Sequence, residues 1–163
     1  MIHLPKSIEA HQGAQAVRQL LETGCRPLWK EGLVPVPHHN VEHAAEFVEA
    51  LREARRDRQL VRGLDESERL LATEQRGLEA AGQKAFARPS RLVLVGVEGS
   101  ERFFRNVESL LRRHAGRLIG VVVEPEFPSI TAQALGIEGG AQALLVSDKD
   151  AVVRVLLALV GQR

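Results

Sequence analysis

The sequence predicts an α/β fold: a three-layer α/β/α sandwich with a small central sheet and a mainly helical N-terminal extension. Three observations predict it. From Arg91 onward, the apolar runs "RLVLVGV", "RLIGVVVE" and "AQALLVS" alternate with the helix-periodic stretches "SERFFRNVESLLRRH", "SITAQALG" and "AVVRVLLALV", the order of helices packed on an at least partly parallel sheet. Upstream the pattern is mainly helical, so residues 1–63 are set apart as an extension or added layer and 64–163 as the α/β/α domain. The 163 residues are 44% hydrophobic and 26% charged, which is enough apolar material for a core of ordinary density.

Taken in order, "LPKSIEAHQGAQAVRQLLETG" predicts a first helix, with Ser7 as its cap, Ile8, Val17, Leu20 and Leu21 on its apolar face and Gly24 as its stop. Pro27, Pro35 and Pro37 forbid helix in the next stretch and favour an extended segment or loop. Asn40 is placed to cap a second helix whose inner face is Val41, Ala44, Ala45, Val48 and Leu51. Its far end, "REARRDRQ", is polar all round. "GLDESERLLATEQRGLEAAGQKAF" predicts a third helix, opened by a capping box of Asp65 and Glu68. Beyond the first apolar run, Gly99 permits a tight turn and Ser100 caps the following helix. Ser147 and Asp150 form a capping box before the last one.

The formal net charge is +1, so no global field draws the chain to nucleic acid or membrane, and any RNA contact needs a local basic patch. A single cysteine, Cys25, excludes an internal disulfide and fits a reducing, cytoplasmic setting. The first residues lack the basic and apolar regions of a signal peptide. "VVRVLLALV" is too short to span a bilayer. No cofactor motif and no catalytic constellation stands out. Gly96-x-x-Gly99 is neither a dinucleotide fingerprint nor a P-loop. His38, His39 and His43 lie near Cys25, but no second cysteine or paired histidine completes a zinc site.

Ligands of open α/β sheets sit beyond the carboxyl ends of strands. That rim would hold Glu98, Gly99 and Ser100, then Glu124 and Glu126, then Ser147 and Asp148. Glu98, Glu124 and Asp148 each follow an apolar run, and three carboxylates on one rim could hold a hard cation through oxygen. "VEG" followed by "EPEFPS" is faintly similar to the topoisomerase-primase metal domain, with glutamates in place of both of its aspartates.

Three stretches carry a wider resemblance. "RLVLVGVEGSE" is similar to a strand running into an Ala-Glu-Asp-Ala-Ser type turn. "AQALGI" is similar to a Leu-Gly-x-Ala-Leu-Gly helix, and "LLVSDKDAVVRVLL" to a last strand, Thr-Asp-Lys turn and helix. Together they make residues 77–160 resemble the superfamily of kink-turn RNA-binding ribosomal proteins and their bacterial ribosome-associated relatives. The resemblance implies an α/β/α sandwich and association with structured RNA or the ribosome. It also places the family's RNA-binding glycine at Gly77. The family signature runs Gly-x-Asn-Glu-x-x-Lys; from Gly77, Glu79 stands for Asn, Ala80 for Glu and Gln83 for Lys, with Lys84 one place late.

The expected function is a noncatalytic RNA- or ribosome-associated module, with Lys84, Arg88, Arg91, Arg112 and Arg113 as its phosphate contacts. Two other readings stand beside it. One is a small-molecule or divalent-metal domain using Glu98, Gly99, Ser100, Glu124 and Asp148. The other is a protein-interaction or oligomerisation module using the broad apolar arc of the last helix.

Overall fold

The structure, a computed structural model, describes residues 2–83 and 88–163. The N-terminal stretch forms two helices, α1 (Lys6–Glu9) and α2 (Ala14–Glu22). The break falls at Gly13, whose N–H donates to His11 Nδ1 at 2.8 Å instead of continuing one long helix. Ser7 lies inside α1, behind Pro5 at the N-cap. The proline-rich segment then forms a hairpin, β1 (Cys25–Pro27) and β2 (Pro35–Asn40), followed by α3 (Ala44–Arg56) and β3 (Leu60–Arg62). Next come α4 (Leu64–Ala80), β4 (Arg91–Val95), α5 (Glu101–Arg113) and β5 (Leu118–Glu124). The chain closes with α6 (Phe127–Leu135), β6 (Ala143–Val146) and α7 (Lys149–Leu159).

The strands form one six-stranded mixed sheet in the order β1-β2-β5-β4-β6-β3. β2, β5 and β4 run parallel, β6 runs antiparallel to β4, and the edge strands β1 and β3 are antiparallel to their neighbours. Helices cover both faces. Leu92, Leu94, Val121, Val123, Leu144 and Val146 pack with α1, α2, α3, α6 and α7, whereas Val93, Val95, Val122 and Leu145 pack with α4 and α5. Strands buried on both faces need no polar alternation, which is why the three central ones stand out as apolar runs. The broad apolar arc of α7 is covered within the chain, where α3 and α1 lie against it.

Residues 25–62 thus contribute three of the six strands as well as a helix. β2 shows why the sequence concealed them. His38 donates its N–H to Gly24 O at 3.3 Å, on the β1 side. Residues 36 and 38 therefore face β1, and residues 35, 37 and 39 face β5. Two of those three are prolines, with no N–H to give. The ladder to β5 accordingly runs only from His38↔Val122 to Asn40↔Glu124, while Pro35–Pro37 pair with β1.

Counting Ser7, the capping pattern differs from expectation at four of five places. Asn40 is the last residue of β2, and Val41 donates to Glu124 O at 2.7 Å, so pairing takes the backbone that a cap would need. Gly63, not Asp65, is the N-cap of α4. At α7 it is Asp148, not Ser147, that accepts from Asp150 N and Ala151 N, both at 3.0 Å. Ser100 caps α5 as the sequence predicts, accepting from Phe103 N at 3.1 Å.

Candidate functional site

At one end of the sheet, β4 gives way to Gly96–Ser100, β6 begins and β3 ends. A cleft of about 620 Å³ opens there, lined by Arg62, Gly63, Asp65, Glu66, Phe103 and Gly140 among others. Two glycines shape it. Gly63 has φ +88° and donates its N–H to Ala143 O at 3.0 Å, which turns the chain from β3 straight into α4. Its carbonyl accepts from Ser67 Oγ at 2.6 Å. Gly140 has φ +71°, and a Cβ there would lie 1.9 Å from Pro128 O. This second turn is locked to α6 by the fully buried Thr131, whose Oγ1 accepts from Ala141 N at 2.8 Å and donates to Pro128 O at 3.0 Å. Arg62 spans the two turns, donating to Gly140 O at 3.4 Å.

Asp65 and Glu66 occupy the first turn of α4, where the helix dipole favours carboxylates. Glu66 pairs with the exposed Arg69 at 2.5 Å. Phe103 forms the opposite wall, edge-on to Phe104 with centroids 5.2 Å apart. Gly99 backs onto that ring, since a Cβ there would come within 2.6 Å of Phe103.

The predicted residues distribute as follows. Lys84 lies outside the described residues. Arg88 is tied to Glu9 at 2.6 Å and donates to Leu4 O at 2.8 Å. Arg91 forks onto Glu74 at 3.1 and 2.8 Å, and the buried Arg117 reaches the same carboxylate at 2.7 Å. Burial pushes the Glu74 carboxyl up, but the hydrogen bonds and charges of Arg91 and Arg117 outweigh it and hold the group below the ordinary carboxylate value. Arg91 and Arg88 therefore fasten elements together at the end of the sheet away from the cleft. Arg112 and Arg113 are exposed near the C-terminus of α5, paired with Glu108 at 3.3 Å and Glu68 at 3.6 Å.

The acidic rim does not assemble as one site. Because β6 is antiparallel to β4, with Leu92 opposite Val146, Asp148 stands at the amino end of β4. Glu98 follows the carboxyl end of β4, and Glu124 is the last residue of β5, where it meets Arg26 at 3.4 Å. Among the described residues, no group of three His, Cys, Asp or Glu side chains is placed to hold a metal ion. His38 Nδ1 lies 2.8 Å from Val36 O and His39 Nε2 lies 2.9 Å from Leu159 O, so each ring donates to a backbone carbonyl. Burial pushes the Cys25 thiol up, away from the thiolate form, and Glu22 adds to the effect. No helix among the described residues is long and apolar enough to cross a membrane.

The spacing read in the sequence from Gly77 also falls at Gly63. Gly77 lies late in α4 with no turn to make, whereas Gly63 stands between a strand and a helix start. From Gly63 the signature spacing gives Gly63-Leu64-Asp65-Glu66-Ser67-Glu68-Arg69: the glycine and glutamate match, Asp stands for Asn, and Arg for Lys. The glycine after "QLVR" was the available signal, but β3 has only three residues and follows a polar helix end, too short for any period to register.

No protein-family model matches this chain, and no curated protein does. Its fold is shared with a solved structure. The Giardia lamblia 15.5kD RNA binding protein is similar at 16% identity and a TM-score of 0.50, over 78% of this chain and 92% of that one. A protein with unknown function from Bacillus halodurans C is 20% identical with a TM-score of 0.47, over 72% of this chain and 98% of that one.

Proposed function

We propose that this chain is a noncatalytic module for structured RNA, ribosomal or other, and that it meets RNA at the N-terminus of α4. One observation carries the reading. The spacing Gly63-x-Asp65-Glu66-x-x-Arg69 falls on a strand–glycine–helix junction, facing a cleft walled by a second glycine turn and an aromatic ring. The fold shared with an RNA binding protein supports it.

The chemistry divides between charge types. Asp65 and Glu66 accept hydrogen bonds and repel phosphate, so they suit the amino and imino donors of base edges. Phosphate contact falls to Arg62 and Arg69. Arg69 is three-quarters exposed, and its surface pair with Glu66 is weak enough for a phosphate to displace. Filter binding of a structured RNA with internal loops, at two salt concentrations, tests the proposal. Affinity should fall with salt, and Arg62→Ala and Arg69→Ala should each reduce the slope of log affinity against log salt by about 1. Absence of salt-sensitive binding at low ionic strength would overturn it.

A further inference from the structure

We infer that the solvent face of α5 is a docking ridge for the phosphate backbone of a base-paired RNA stem that continues out of the α4 cleft. The inference rests on the RNA reading above and adds the form of the RNA and the residues that track it.

α5 buries Phe104, Val107, Glu108, Leu110 and Leu111. At 100° per residue, Arg102, Arg105, Asn106, Ser109, Arg112 and Arg113 fall on the opposite side within an arc of roughly 120°. That arc holds four arginines and no acid. Solvent faces usually intersperse both signs, and the neighbouring α4 carries five acids (Asp65, Glu66, Glu68, Glu74 and Glu79) against two arginines (Arg69 and Arg76). On a chain of net charge +1, the ridge is a local basic strip with its own field.

Three of the four guanidiniums rest on carboxylates at the ridge's flanks. Arg105 meets Glu101 at 2.5 Å, Arg112 meets Glu108 at 3.3 Å, and Arg113 meets Glu68 at 3.6 Å. Each of these arginines is more than half exposed; Glu108 is buried, but the Arg105–Glu101 and Arg113–Glu68 pairs lie at the surface and are weak enough for a phosphate to displace. Arg102, exposed and without an ion pair among the described residues, adjoins Phe103 on the cleft wall, so ridge and cleft are continuous.

The ridge also selects the form of RNA. Unpaired strands are held by aromatic platforms on which bases stack, and this face has none. Of the rings on its flanks, Phe103 belongs to the cleft wall and packs edge-on against Phe104, and Trp29 is capped by Arg105 with its guanidinium carbon 4.9 Å from the ring centroid. What remains is a straight row of arginines with Asn106 and Ser109 between them. It runs about 16 Å from Arg102 to Arg113 and suits the regular phosphates of a duplex.

The test uses the full chain and two RNA hairpins with the same internal loop, one with a stem of a few pairs and one with a stem of a full turn. Wild type should bind the longer stem more tightly. Arg102→Gln/Arg113→Gln should lower the salt slope for the long hairpin by about 2, leave the short hairpin unchanged and keep the wild-type circular dichroism. Arg102→Lys/Arg113→Lys should restore the slope. If the glutamine variant binds the long hairpin with wild-type slope while Arg62→Ala still weakens binding, the ridge inference fails and the cleft reading stands. If wild type binds neither hairpin, both fall.

Discussion

At the scale of single residues, the arginine-rich composition misleads unless each guanidinium is followed to its partner. Arg91 and Arg117 share Glu74, with Arg117 only 2% exposed. Removing one member of a buried pair costs on the order of 3 kcal/mol, and Glu74→Gln is expected to destabilise the protein by about that amount at neutral pH. The pH dependence has a definite sign. The folded carboxyl titrates below its ordinary value, so its contribution is complete above the unfolded pKa of about 4.3 and fades as pH falls through the lower folded value. Urea melts of wild type and variant should therefore differ most near neutrality and converge in acid. A gap that widens on acidification would contradict the assignment. Nothing in the sequence gave this away, because Glu74, Arg91 and Arg117 come from three separate elements.

At the scale of elements, legibility tracked length and periodicity. α5 was readable to its cap because five buried positions repeat at helical spacing behind Ser100. β3 was not, and with it went the strand–glycine–helix junction at Gly63. The direction of β6 was also hidden: an apolar run shows that a strand is buried on both faces but not which way it runs, and the antiparallel β6 carries Asp148 to the other end of the sheet from Glu98. The two glycine turns beside the cleft yield a paired prediction. Around Gly63 a Cβ would meet nothing within 4 Å, so Gly63→Ala carries only the backbone penalty of a φ +88°, ψ 159° conformation that is essentially glycine's alone, about 1–3 kcal/mol. Gly140→Ala adds a collision with Pro128 O at 1.9 Å, which no rotamer relieves. Denaturant midpoints should order wild type, then Gly63→Ala, then Gly140→Ala well below. Equal losses would mean that the turn before β6 yields freely.

At the scale of the whole molecule, the α/β/α architecture was legible because the three central strands are buried on both faces, whereas the role of residues 1–63 was not. Those residues carry Leu4, Ile8, Val17, Leu20, Leu21, Phe47, Val48 and Leu51, all in one cluster with Leu92, Val121, Leu144, Val152 and Leu156. They also supply β2 on one side of the central strands and β3 on the other. A fragment of residues 64–163 would leave β5 and β6 as open edges and strip α1, α2 and α3 from a face that α6 and α7 alone would then cover. Losing a single buried Phe or Leu side chain costs roughly 2–5 kcal/mol, against a total stability of about 5–15 kcal/mol, so losing eight exceeds what any domain of this size holds in reserve. The fragment is expected to be aggregated or collapsed without fixed side-chain packing, with no cooperative melt and no dispersed amide spectrum. Supplying residues 1–63 in trans should restore both signals if the two pieces meet before the exposed edges pair with copies of themselves. A fragment that gives a dispersed spectrum and a cooperative melt by itself would show that the face covered by α1, α2 and α3 is dispensable for folding.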